Sequence, residues 1–188
     1  MAADVPALET PRLILRKISL EDGPAVQAIF PQWEIVAFLG HTVPWPYPPD
    51  GALTFIRDRV LPAMEEGSQW VWSIRPKEAP DQLIGIINLT DGDDNNRGFW
   101  LAPDWQGQGL MTEACIAVND FWFETLDRPV LRVPKAVDNV RSRRISERMG
   151  MRIVSTREQD FVCGRRLTEV WEITRDEWRD WRAANLQT

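Results

Sequence analysis

With 188 residues, 44% of them hydrophobic, the chain specifies one ordinary globular domain with enough apolar material for a single core. No window approaches the run of about 20 apolar residues that a membrane span needs, and residues 1–11 lack the charged start and apolar centre of a secretory signal. A soluble, cytoplasmic protein is expected, and its formal net charge of −6 disfavours nucleic acid and favours cationic partners such as amines or basic peptides.

In chain order, residues 12–18 alternate charged and apolar side chains as a half-buried strand does, and Ser19 with Asp22 gives a capping-box start to a helix reaching about Phe30. A short helical turn follows over residues 33–39. Residues 41–49 hold four prolines beside His41, Trp45 and Tyr47, which makes a stiff aromatic loop rather than regular structure. The next helix runs from about Asp50 to Glu66, with Pro62 marking a kink or early stop and Gly67 closing it. Residues 69–74, 83–89 and 97–102 read as an antiparallel meander.

A helix over residues 112–125 comes next, with Cys115, Val118, Phe121 and Trp122 on its apolar stripe. Val130 to Val133 is a strand, Asn139 to Met149 a helix ended by Gly150, and a strand starts at Met151. The last hairpin turns at Cys163 and Gly164, and Thr174 with Glu177 caps a helix carrying Trp178 and Trp181. Neither Cys115 nor Cys163 has a Cys or His at metal-ligand spacing, so no metal is expected. The order of elements implies a mixed α/β (α+β) domain with helices on both faces of one sheet.

Between the third meander strand and the following helix lies Trp105-Gln106-Gly107-Gln108-Gly109-Leu110-Met111-Thr112. A strand, a glycine turn and a helix N-terminus can aim several backbone N–H groups and the positive end of the helix dipole at one anion. The spacing lacks the third glycine of a dinucleotide fingerprint and the Gly-Lys-Ser/Thr of a P-loop.

Gln106 to Met111 resembles the Gln/Arg-x-x-Gly-x-Gly/Ala loop of the GCN5-related N-acetyltransferases, with Met111 at the final small position. Asp138 to Met151 is similar to that family's Asn-x-x-Ser-x-x-x-x-Glu-x-x-Gly-Phe helix, and residues 9–16 and 98–103 look like the first and fourth strands of the branch that acetylates ribosomal-protein N-termini. The resemblance implies a central twisted, mostly antiparallel sheet of about seven strands and acetyl-coenzyme A as acyl donor. It also implies that the amides of Gln106, Gly107, Gln108, Gly109, Leu110, Met111 and Thr112 hold the pyrophosphate, and that the pantetheine arm pairs near Leu101. Asn139 would reach the arm from the other side of a splayed strand pair, and Arg144 would meet phosphate or solvent.

Attack by a neutral amine on a thioester needs an oxyanion donor, a sink for the amine proton and a partner for the leaving thiolate. By resemblance Ser142 is the general acid, although a hydroxyl in a first helical turn also satisfies local backbone groups. The family often carries a Glu where this chain reads Asn95-Asn96-Arg97, so Asn96 is left to hold a water or the amine, and Glu34 or His41 is left as an alternative base. Trp70, Trp72, Trp100 and Trp122 are expected in the core, whereas Trp33, Trp45 and Tyr47 are expected to wall the acceptor pocket.

The sequence therefore points to direct acetyl transfer to the primary amine of a peptide N-terminus or small molecule. Two alternatives stay open: an acyl-coenzyme A sensor without turnover, and a transferase using another acyl donor. Exposed aromatics on the first two helices are compatible with a homodimer.

Overall fold

Residues 4–185 are described by a computed structural model of the chain. The strand read from alternation is β2 (Leu13–Lys17), whose Leu13 and Leu15 are fully buried. It pairs with β1 (Leu8–Glu9), which is too short to carry a period of its own. Ser19 and Asp22 form the expected capping box ahead of α1 (Gly23–Ile29), and α2 (Trp33–Val36) is the short turn beyond it.

The helix expected over residues 50–66 is continuous but changes hydrogen-bond register. A π turn (Ile56–Val60) joins α3 (Gly51–Phe55) to α4 (Leu61–Glu65). Pro62 has no N–H for the carbonyl of Asp58 and its ring would crowd it, so the ladder lengthens by one residue and Leu61 N–H reaches back to Ile56 O. Pro62 thus shifts the register without ending the helix.

The meander forms as read, with β3 (Gln69–Pro76), β4 (Gly85–Thr90) and β5 (Arg97–Leu101) following β2 in an antiparallel sheet of order β1-β2-β3-β4-β5. A separate antiparallel sheet has the order β6-β8-β7, from β6 (Val130–Ala136), β7 (Arg152–Phe161) and β8 (Gly164–Thr174). Among the described residues eight strands in two sheets thus stand where a single sheet of about seven was expected. The chain crosses between the sheets through α5 (Leu110–Asp120), which continues into a π turn (Phe121–Thr125), while α6 (Val140–Arg148) and α7 (Arg175–Asn185) complete the helices.

Ala114, Cys115 and Val118 of α5 are solvent-free and join Trp72, Ile74, Ile87 and Leu89 of the first sheet in one apolar cluster. Each such large side chain contributes about 1.5–3 kcal/mol by leaving water. Trp70, Trp72 and Trp122 are buried as expected; Trp100 is only half-buried, because its side of β5 lines a cavity. Among the described residues no helix is long and apolar enough to cross a membrane, and no cluster of His, Cys, Asp and Glu could hold a metal.

Candidate active site

The two sheets meet at one end of β5 and β6 and part from there. Asn96 N–H donates to Arg132 O, and Arg132 N–H donates to Asn96 Oδ1, both at 2.8 Å. Since N–H and C=O of one residue point to the same side of a strand and alternate along it, residue 134 faces β5 as Arg132 does. Residue 134 is Pro, which has no N–H to continue the pairing. At the far end of β5, Ala102 N–H bonds Ile84 O within the first sheet, which turns the backbone groups of Phe99 and Leu101 toward the gap. β5 therefore has no strand partner along that edge, where only Leu101 O is taken, by Gln106 Nε2.

At the end of that edge the glycine turn feeds α5. Gly107 and Gly109 have φ of +77° and +79°, a left-handed conformation that costs a residue with a Cβ about 1–2 kcal/mol. Gly109 is the N-cap of α5 and offers no side chain to the first-turn amides, so those N–H groups and the dipole they sum to face outward. A Cβ on Gly107 would meet nothing within 4 Å, so the turn borders open space. These features fit an anionic group such as a pyrophosphate. Leu110 and Met111 contribute backbone only, since both side chains are buried; the bulk of Met111 lies in the core and not beside the cradle. Thr112 is half-buried in the first turn.

Side chains brace this turn from both sides. Arg12 donates from Nη1 to Gln108 O at 3.0 Å and from Nε to Glu113 Oε2 at 2.8 Å, and its backbone N–H reaches Glu113 Oε1 at 2.7 Å. Thr10 adds a hydroxyl to the same carboxylate. Partial burial alone would raise the Glu113 carboxyl, but these donors outweigh it and hold the group below its ordinary range. On the other side Gln106 donates from Nε2 to Leu101 O at 2.8 Å and accepts from Arg141 Nη1 at 2.5 Å, tying β5 to α6 across the gap.

On α6, Asn139 is the N-cap and its Oδ1 accepts from Ser142 N–H at 3.3 Å. Ser142 Oγ receives a hydrogen bond from Lys135 Nζ at 2.6 Å. Lys135 is only 5% exposed, and its ammonium stands 5.0 Å from the centre of the Phe99 ring, inside the gap between β5 and β6. Burial first, and the nearby Arg97 guanidinium second, lower its pKa to about 7. Arg144 is exposed, away from these bonds, and it is Arg141 that reaches the glycine turn.

The opposite side of β5 walls a cavity of about 840 Å³, into which Gly98, Trp100, Asn88 of β4, Phe30 and Tyr47 face. Phe30 packs edge-on to Tyr47 with ring centres 4.9 Å apart and lies 5.4 Å from Trp100. Asn88 Oδ1 sits where a Cβ on residue 98 would come within 2.8 Å, so only Gly98 admits it. Burial raises the Tyr47 hydroxyl and keeps it protonated. Asp50, Asp58, Asp93 and Asp94 also line the cavity, with Arg59 the one cation among its walls.

Several expected pocket residues lie elsewhere. Asn96 is 2% exposed, and its carboxamide is consumed by Arg132 N–H, Thr90 O and Gly92 O, so it fastens the two sheets and cannot touch an acceptor. Trp33 and Trp45 are half exposed, with rings 5.6 Å apart, and neither faces the cavity. Glu34 is exposed on α2 outside it, and His41 lines a smaller neighbouring cleft of about 460 Å³ beside β7. Of the expected aromatic wall only Tyr47 is in place. Asn88 and Lys135 were invisible as site residues, because strand pairing brings each to the site and neither stands in a motif, whereas Arg12 and Arg141 stand in the first-strand and Asn139 motifs but carried no sign of their partners at the glycine turn.

The match to known proteins follows this geometry. A family model described as an acetyltransferase (GNAT) domain matches residues 12–152, well over half of the chain. Over 72 residues the chain is 36% identical to YdaF of Bacillus subtilis, whose name assigns it provisionally as a ribosomal N-acetyltransferase; the match covers 36% of this chain and 39% of that protein's length. The fold is shared with the ribosomal-protein-S5-alanine acetyltransferase of Vibrio fischeri, at a TM-score of 0.78 and 13% identity over 92% of this chain and 98% of that one. It is shared also with RimJ of Mycobacterium smegmatis, solved in complex with CoA-disulfide, at a TM-score of 0.77 and 18% identity over 97% and 94%. The chain belongs to the GNAT acetyltransferase family.

Proposed function

We propose that the protein is an acetyl-coenzyme A-dependent N-acetyltransferase that passes the acetyl group directly to the primary amine of a peptide or protein N-terminus. One observation carries the reading: β5 is a shared wall, with an edge that has no strand partner and the bare N-terminus of α5 on one side and a carboxylate-lined cavity on the other. A donor with an anionic end and an extended arm, and a separate cationic acceptor, are what such a wall separates and brings together.

In this reading the donor supplies a thioester carbonyl and a thiolate leaving group. The amides of residues 106–112 hold its pyrophosphate, the Phe99 and Leu101 edge aligns its arm, and Ser142 meets the thiolate. Asp58 and Asp94 are paired with Arg57 and Arg157, and the charge left on Asp50 and Asp93 favours an amine as the occupant of the cavity. Asn88 Oδ1 orients the attacking nitrogen, whose proton leaves to water among the carboxylates. The names of YdaF and of the Vibrio fischeri enzyme support a peptide acceptor over an amino sugar or an antibiotic.

The test is a thiol-release assay with an amine panel of N-terminal peptides, polyamines and aminoglycosides, with product masses read in parallel. Acetylated peptide is the expected product. Binding of acetyl-coenzyme A without release of thiol to any amine would leave only a sensor, and preference for a longer acyl donor would reassign the donor.

A further inference from the structure

Lys135 is a buried cation that the reaction described above leaves without a task. Its strand neighbour across β6 and β8 is Glu169, but that carboxylate is turned to Arg143 Nε and Nη2, at 2.8 and 3.2 Å, and to Trp171 Nε1. From β5 it faces Arg97, another buried cation whose Nη1 bonds Asn119 Oδ1 while Nε and Nη2 have no partner. From α5 it faces the Cys115 thiol, which burial pushes up and so keeps neutral. Among the described residues Lys135 makes no ion pair, and its one hydrogen bond goes to the hydroxyl of Ser142. Burying an ammonium next to a second cation is costly unless an anion arrives.

Resting on the acetyl-transfer reading, we propose that Lys135 is the proton source behind Ser142, a positioning residue that charges the hydroxyl and stabilises the departing thiolate through it. The donation from Nζ to Oγ occupies a lone pair of the hydroxyl and leaves its own proton free to point into the gap. During transfer the amine nitrogen forms a bond to the acyl carbon and the carbon–sulfur bond breaks, the electron pair going to sulfur. The Ser142 proton passes to sulfur and a Lys135 proton passes to the Ser142 oxygen, so the hydroxyl is never left as an alkoxide. Lys135 regains its proton from water, which has received the one lost by the amine. An isolated serine hydroxyl is far too weak an acid for this step, whereas an ammonium that titrates near neutrality is well matched to it.

The sign of the pH effect follows. Lys135 must be protonated, so kcat falls as pH rises through about 7, the value that burial and Arg97 give it.

Two readouts test this. The thiolate absorbance of bound coenzyme A, referenced to desulfo-coenzyme A, requires no turnover; the wild-type complex is expected to ionise its thiol at least one pH unit below the Lys135→Met complex. In kcat profiles the wild type should show the descending limb and Lys135→Arg should move it beyond the alkaline end of the range, because guanidinium does not titrate there. Lys135→Met should lose roughly 10²-fold in kcat, Ser142→Ala a similar amount, and the double variant little more, since both cut one relay. A thiol pKa and kcat unchanged by Lys135→Met would overturn the proposal alone. Failure of the wild type to bind coenzyme A would overturn it together with the reading on which it rests, and binding without turnover leaves the absorbance to decide. Should Lys135→Met not fold, Lys135→Arg and Ser142→Ala carry the same comparison.

Discussion

Asn96 and Arg132 exchange two hydrogen bonds of 2.8 Å, and this clasp joins the end of the first sheet to the start of the second. Two residues beyond it Pro134 denies β6 its next donor, so the clasp and the proline together set where the sheets join and where they part. Replacing Asn96 by Ala would leave Arg132 N–H, Thr90 O and Gly92 O short of partners in a buried site. The expected cost is about 2 kcal/mol or more of unfolding free energy, read by chemical denaturation, with turnover per folded molecule within about threefold of wild type. A folded Asn96→Ala protein without activity would return Asn96 to the acceptor pocket.

The glycine turn makes a sharper claim, because neither Gly107 nor Gly109 is crowded. The atom nearest a Cβ on Gly109 is Arg12 Nη2 at 3.5 Å, an ordinary contact. Ala at either position thus acts through its positive φ alone, by about 1–2 kcal/mol. If that strain tilts the amides out of the cradle, coenzyme A affinity drops by about tenfold, beside a Tm loss of a few degrees from the strain itself. Equal affinities in wild type and both Ala variants would move the phosphate site away from this turn.

Glu113 couples the turn to β2, and its pH dependence has a definite sign. Its folded pKa lies below the unfolded value, despite the opposing effect of burial, because Thr10 and Arg12 donate to it. Its contribution to stability is therefore fully present above the unfolded value, about 4.3, and is lost as pH falls through the folded one. Unfolding of wild type and Glu113→Gln should differ most above about pH 5, and the gap should narrow as pH falls below the unfolded value. A gap that stays constant over that range would mean that the carboxylate does not titrate against these donors.

Acceptor recognition is predicted to ignore the outer tryptophan pair. Trp33→Ala and Trp45→Ala should leave the acceptor KM within about twofold of wild type, while Tyr47→Ala and Trp100→Ala, which strip the cavity wall, should raise it several-fold. The reverse pattern would put the amine in the loop beside Trp45.

How much of this was legible in the sequence depended on the range of the physics involved. Alternation in β2, the capping boxes at Ser19 and Thr174 and the glycines before α5 are local signals, and each produced its element. The glycine turn and the Asn139 to Gly150 helix were legible as a pair because each is a compact motif. The division into two sheets was not, since it depends on Arg132 meeting Asn96, with Pro134 two residues on, only after α5 has crossed over. For the same reason Asn96, read as a pocket residue from its place before β5, is a clasp, and Lys135, one residue after the proline, carried no signal until folding set it 2.6 Å from Ser142.

The most direct test of the central claim is calorimetric titration of the protein with acetyl-coenzyme A and coenzyme A. Saturable binding with a Kd at or below the micromolar range, weakened about tenfold by Gly109→Ala, is the result this account predicts. Absence of heat up to high micromolar ligand, with the protein folded, would contradict it.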